Sequence, residues 1–163
     1  MTTTKTLQVS ARGDREIVMS RVFDAPRTLV WDALTKPELL KRWLYGPSDW
    51  SMPICEFGQK AGDHYRYLWR GPKGAEMAAG GIIREIVPPE RIVVTERFDD
   101  PWYPGEAIGT IILIEQHGKT TLTQTLFYES REARDLVLKS GMETGLGMSY
   151  DRLAEMLTAN AVK

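Results

Sequence analysis

The chain has 163 residues, a length that suits a single domain. Lys and Arg total 21 against 22 Asp and Glu, with no basic run, which argues against a nucleic-acid surface. Hydrophobic residues at 42% and charged residues at 26% give an ordinary globular balance, and the single cysteine, Cys55, excludes an internal disulfide and fits a reducing cytoplasm.

Met1 to Leu7 is polar and Thr-rich and lacks the apolar core of a signal peptide. Residues 1–14 read as a flexible lead-in, 15–158 as one domain and 159–163 as a tail. Arg15 to Phe23 is rich in β-branched and apolar residues and predicts a strand. Asp24-Ala25-Pro26 then opens a helix, with Asp24 or a neighbour as cap and Pro26 in the first turn. Leu29, Val30, Ala33 and Leu34 recur in it at helical spacing. Lys36-Pro37 starts a second short helix carrying Leu39, Leu40, Trp43 and Leu44, which Gly46-Pro47 ends.

Strands fill the middle of the chain. Trp50 to Phe57 is followed by a turn at Gly58 and Gly62, then His64 to Arg70 and a hairpin turn at Gly71-Pro72-Lys73-Gly74. Glu76 to Val87 is stopped by Pro88-Pro89, and Arg91 to Phe98 follows. A loop from Asp99 to Gly105 leads to Glu106–Glu115, and His117-Gly118 turns into Lys119 to Tyr128. The longest strongly apolar stretch, Ala107 to Ile114, is far too short to span a bilayer, so a cytoplasmic protein without a membrane partner is expected.

Ser130 caps one long final helix, Arg131 to about Leu157, whose Leu138, Met142, Leu146, Tyr150, Leu153 and Leu157 form an apolar stripe. Strand, two short helices, hairpin-linked strands and a long helix make an α+β order with an antiparallel sheet. The striped helix is the only element long enough to cover one sheet face.

Several motifs now stand in order. Arg21-Val22-Phe23-Asp24-Ala25-Pro26, Val30-Trp31-Asp32-Ala33-Leu34-Thr35, Pro37-Glu38 and Arg42-Trp43 open the series. Glu85-Ile86-Val87-Pro88-Pro89-Glu90-Arg91-Ile92 continues it, and Ser140-Gly141-Met142-Glu143-Thr144-Gly145 and Leu153-Ala154-Glu155-Met156-Leu157 close it. Together they resemble the SRPBCC (START-like, helix-grip) superfamily, in the branch named for homology to the activator of the heat-shock-protein-90 ATPase. The resemblance covers about residues 15–158. It implies a helix-grip fold, a curved antiparallel sheet wrapped around a long C-terminal helix, with two short helices after the first strand. It does not imply one activity, since the superfamily includes binders and cyclases. Two stretches depart from the family pattern. Relatives carry an acidic residue and a Gly-Gly pair where this chain reads Phe57-Gly58-Gln59-Lys60-Ala61-Gly62-Asp63, and often an aromatic where it has Leu146, which leaves more room in a pocket.

Alternation along each strand assigns faces. Tyr65, Tyr67 and Trp69 share one, Ile92, Val94, Glu96 and Phe98 another, and Leu122, Gln124 and Leu126 a third. Glu96 and Gln124 thus stand on otherwise apolar surfaces. Trp43 closes one end, Trp102 and Tyr103 form a rim between two prolines, and Met142 and Leu146 face the sheet from the helix. The expected ligand-binding set is Trp43, Tyr65, Tyr67, Trp69, Val94, Glu96, Trp102, Gln124, Met142 and Leu146, enclosing a small hydrophobic or aromatic molecule. Each of these aromatics reads equally as plain core. Glu96 is either ion-paired with Arg84 or Arg97 or a pocket carboxylate with a raised pKa, the one catalytic candidate.

No cofactor or metal is expected. Gly118-Lys119-Thr120 lacks the earlier glycine of a phosphate-binding loop, and His64, His117 and Cys55 lack metal-ligand spacing. Thr110, Ile112 and Ile114 lie across from Thr121, Thr123 and Thr125 on the outer face; two exposed isoleucines there suggest a homodimer surface, or else a flank covered by the N-terminal segment or an edge loop. Three functions compete: a non-catalytic binder of a hydrophobic molecule, a cyclase- or hydrolase-like enzyme using Glu96, and a co-chaperone-like regulator of a heat-shock ATPase.

Overall fold

A computed structural model describes residues 6–162. Eight antiparallel strands form one sheet: β1 (Gln8–Arg12), β2 (Glu16–Phe23), β3 (Ser51–Phe57), β4 (His64–Arg70), β5 (Glu76–Val87), β6 (Arg91–Phe98), β7 (Ala107–Gln116) and β8 (Lys119–Phe127). Their order is β1-β2-β8-β7-β6-β5-β4-β3. Two helices, α1 (Arg27–Thr35) and α2 (Pro37–Leu40), follow β2, and two more, α3 (Arg131–Leu138) and α4 (Met142–Val162), close the chain. This is the α+β helix-grip architecture, with α4 lying against the inner face of the curved sheet.

The period-2 rule explains the inner face. In β2, Ile17, Met19, Arg21 and Phe23 are buried while their neighbours are half-buried. Phe23, Leu113 and Leu122 meet Tyr150, Leu153 and Leu157 of α4 in the main core, which Val30, Leu34, Leu40 and Trp43 complete from the helical side. The Trp43 indole donates to the Ala33 carbonyl at 2.9 Å and its ring stacks on Tyr150 at 5.6 Å. Burying several such aromatics supplies a large share of the core's apolar area. Arg21 is buried beneath α4, where its guanidinium donates to Asp151 at 2.5 Å.

Five expectations need correction. The lead-in is not flexible throughout: Gln8–Arg12 pairs with β2, Gln8 opposite Ser20 and Arg12 opposite Glu16, while residues 1–5 lie outside the described residues. The first helix has Pro26 at its cap, without a side-chain cap bond, and Asp24 instead faces Lys119 at 3.5 Å. The second short helix stops at Leu40, and Trp43 and Leu44 lie in turns after it. The final helix is two helices. Gly141 adopts φ +83°, a left-handed conformation that ends a helix, and the Ser140 hydroxyl donates to the Val137 carbonyl at 2.6 Å just before the break. At its far end α4 runs to Val162, so 159–162 continue the helix rather than forming a tail.

On the outer face Thr110, Ile112 and Ile114 stand opposite Thr125, Thr123 and Thr121. Ile114 is 55% exposed, but Ile112 is only half-exposed, so the expected pair of exposed isoleucines reduces to one. At the β3 edge the register shifts between Ser51 and Ile54, with exposed Pro53 inside the bulge. No helix among the described residues is long and apolar enough to cross a membrane.

Candidate functional site

The sheet curls around α4 without filling the space beneath its first two turns. A cavity of about 380 Å³ remains there, with an inner lobe of about 120 Å³ that shares Leu44, Tyr65, Tyr67, Gln124 and Leu146 with it. The larger volume falls in the range of small-molecule sites, and the inner lobe alone is too small for one.

The β4 face forms one wall. Tyr65, Tyr67 and Trp69 stand in a row, the first pair tilted and the second edge-to-face, with ring centres 5.2 and 5.6 Å apart. The row is fixed at both ends. The Trp69 indole donates to the Leu44 carbonyl at 2.9 Å, and the Tyr65 phenol donates to the Thr95 carbonyl at 2.6 Å. Tyr65 is paired with Gly81 on β5, and a methyl at Gly81 would stand 2.0 Å from that same Thr95 carbonyl. The glycine lets β6 come close enough for Tyr65 to reach it, and Thr95 also accepts from the Ile82 amide through its hydroxyl at 2.9 Å.

Glu96 projects from β6 into the cavity wall, opposite the small, buried Ala107. It is not ion-paired with Arg84 or Arg97. Both guanidiniums turn instead to Glu106, each at 4.0 Å. The Glu96 carboxylate accepts one hydrogen bond, from the Tyr103 phenol at 3.0 Å. Burial pushes its pKa up, and the Tyr103 bond only partly opposes that. Burial likewise raises the phenols of Tyr65, Tyr67, Tyr103 and Tyr128, with the Glu96 charge adding to each. The site therefore holds a carboxyl group whose ionisation burial disfavours, among phenols pushed further from ionisation.

Gln124 on β8 presents its amide from the opposite side. Its oxygen accepts from the Tyr150 phenol at 3.0 Å, which directs the amide nitrogen away from that bond. Met142 and Leu146 of α4 roof the cavity, and Trp102, 38% exposed, stands at its mouth against Phe98 and Tyr103.

Of the ten expected residues, Tyr65, Tyr67, Trp69, Glu96, Trp102, Gln124, Met142 and Leu146 line the main cavity. Trp43 and Val94 line the inner lobe instead, and Trp43 acts there as core. Several lining residues were not in that set. Tyr128 continues the Leu122, Gln124, Leu126 alternation by one step, so parity alone would have found it. Tyr45, Gly46 and Pro47 are brought in by a tertiary clamp: Arg152 of α4 donates to the Trp43 and Gly46 carbonyls, both at 2.9 Å, and lies over the Tyr45 ring at 3.7 Å. Nothing local marks that contact.

A family model described as Activator of Hsp90 ATPase homolog 1-like protein matches residues 24–158. A crystal structure of a Rhodobacter sphaeroides protein is similar at 32% identity, covering 94% of this chain and 99% of that one, with a TM-score of 0.89. One from Chromobacterium violaceum is similar at 29% identity, covering 88% and 96%, with a TM-score of 0.77. The AHSA1 protein of Silicibacter pomeroyi shares the fold at 19% identity, covering 89% and 99%, with a TM-score of 0.71. No curated protein matches.

Proposed function

The chain belongs to the Activator of Hsp90 ATPase homolog 1-like family, and we propose that it binds a small hydrophobic molecule in the cavity between the final helix and the sheet. The observation that carries this reading is the cavity itself: about 380 Å³, walled largely by aromatic, Leu and Met side chains, with Glu96, Gln124 and Ser149 among its polar lining. A core needing only stability would collapse on such a space, because unfilled volume costs stability. Screening apolar compounds by thermal unfolding tests it. A ligand at a hundred times its Kd should stabilise by about 2.7 kcal/mol, and Leu146→Trp, which fills the roof, should abolish that gain. No stabilisation by any apolar compound would count against the reading.

Glu96 supports a second reading, an enzyme with this carboxyl as general acid, since burial holds its proton to higher pH. Turnover of a substrate found by screening should then be lost in Glu96→Gln. Unchanged turnover would dismiss that role and leave the binding reading intact.

A further inference from the structure

Among the described residues, the lining of the cavity contains one charged side chain, Glu96, and no Lys, Arg or His. Arg84 and Arg97, the two arginines expected to pair with Glu96, face Glu106 instead; Arg66 pairs with Asp99 on the outer surface and the buried Arg21 pairs with Asp151. The groups that face Glu96 are all phenols: Tyr103 from the β6–β7 loop, Tyr65 and Tyr67 from β4 and Tyr128 from β8. Of these, Tyr65 spends its proton on Thr95 and only Tyr103 donates to the carboxylate. A carboxylate has room for about four hydrogen bonds, so among the described residues most of its accepting capacity is unused. Tyr65, Tyr67, Trp69 and Phe98 line the same cavity.

A carboxylate within aromatic walls attracts a cation twice, through its charge and through the ring quadrupoles. The same carboxylate repels an anionic ligand, and the lining offers no cation to offset that repulsion. From this arrangement we infer that the ligand is a hydrophobic amine, with its ammonium group on Glu96 and its apolar body along the aromatic row. This rests on the binding reading above and narrows it. Fatty acids and other apolar carboxylates are excluded as ligands, although they match the cavity's hydrophobicity equally well. The raised pKa of the empty site agrees with it: a bound ammonium supplies the positive partner that the protein withholds.

Three probes with one two-ring body separate the possibilities: 2-naphthylmethylamine, 2-methylnaphthalene and 2-naphthoate, titrated by calorimetry into the wild type and Glu96→Gln near neutral pH. The amine should bind the wild type about tenfold or more tighter than the hydrocarbon, and the acid should bind weakest. In Glu96→Gln the amine should lose that advantage to within about twofold, while the hydrocarbon keeps its affinity, which also shows that the variant is folded. An amine that binds the wild type no better than the hydrocarbon overturns the inference but leaves the binding reading standing. So does an amine preference that survives in Glu96→Gln. Failure of the amine to bind overturns the inference, while the binding reading falls only if the wider screen of apolar compounds also gives no stabilisation.

Discussion

Replacing Gly145 by Ala tests whether the final helix gives up stability to keep the cavity open. Gly145 is the fourth residue of α4 and lines the cavity, and a methyl built on it meets nothing within 4 Å. Ala in helical backbone gains about 0.5–1 kcal/mol over Gly. For a domain of this size each kcal/mol moves Tm by about 2–4 °C, so Gly145→Ala should melt roughly 1–4 °C higher. Gly147 also has open space within 4 Å but does not line the cavity, so Gly147→Ala should give the same gain. Gly141 is the opposite case. Its φ of +83° costs Ala about 1–2 kcal/mol, so Gly141→Ala should melt lower although no atom obstructs the methyl. Thermal and urea unfolding of the three variants gives the order, and titration with 2-methylnaphthalene gives the second readout, in which only Gly145→Ala should weaken binding. A destabilised Gly145→Ala, or one that binds the arene as tightly as the wild type, would refute the argument that the glycine holds cavity space.

Glu96→Gln should change stability in a pH-dependent way. Burial raises the folded-state pKa above the ordinary 4.5, so wild-type stability falls as pH climbs from 4.5 through the raised value. The Gln variant should therefore resist urea better than wild type near pH 7.5 and lose that advantage near pH 4; equal midpoints near pH 7.5 would contradict the buried carboxylate. Gly81→Ala should cost about 3 kcal/mol or more, because its methyl would stand 2.0 Å from strand backbone, and a loss under about 1 kcal/mol in urea unfolding would show that β6 does not approach so closely. Burial pushes the Cys55 thiol up to about 11 from 9.0, so iodoacetamide should label it about a hundredfold more slowly than a free thiol, and urea should remove the difference. Labelling at the free-thiol rate in the folded protein would count against that burial.

Local rules carried most of the fold. β4 to β8 were legible because each has a period-2 face and ends in Gly, Pro or an acidic turn. β1 was not, since its polar residues show no apolar alternation strong enough to mark a strand, and its register comes from β2. The break at Gly141 was hidden by the stripe Leu138, Met142, Leu146, whose spacing stays in phase across it. The helix signal is periodic and the break is a single backbone angle, so periodicity outvoted the glycine. In the site, parity placed Tyr65, Tyr67, Trp69, Glu96 and Gln124 on the inner face. It had no means to see that Tyr103, in an irregular loop, would return to meet Glu96, or that Arg152 would carry Tyr45 to the rim.

An eight-stranded sheet with β1 and β3 at its ends has two rows of backbone groups open to pairing with another chain. Each end carries its own deterrent. β1 is five residues long and mostly exposed, ending at Arg12, so it offers little apolar surface for a foreign strand to cover. On β3, Pro53 removes a donor and the bulge around it disrupts the ladder. The curved sheet that wraps the final helix can thus stay open-ended without offering a template for fibrils. Straightening β3, by Pro53→Val, should raise light scattering on concentration above that of the wild type, and equal scattering would count against the bulge as a deterrent.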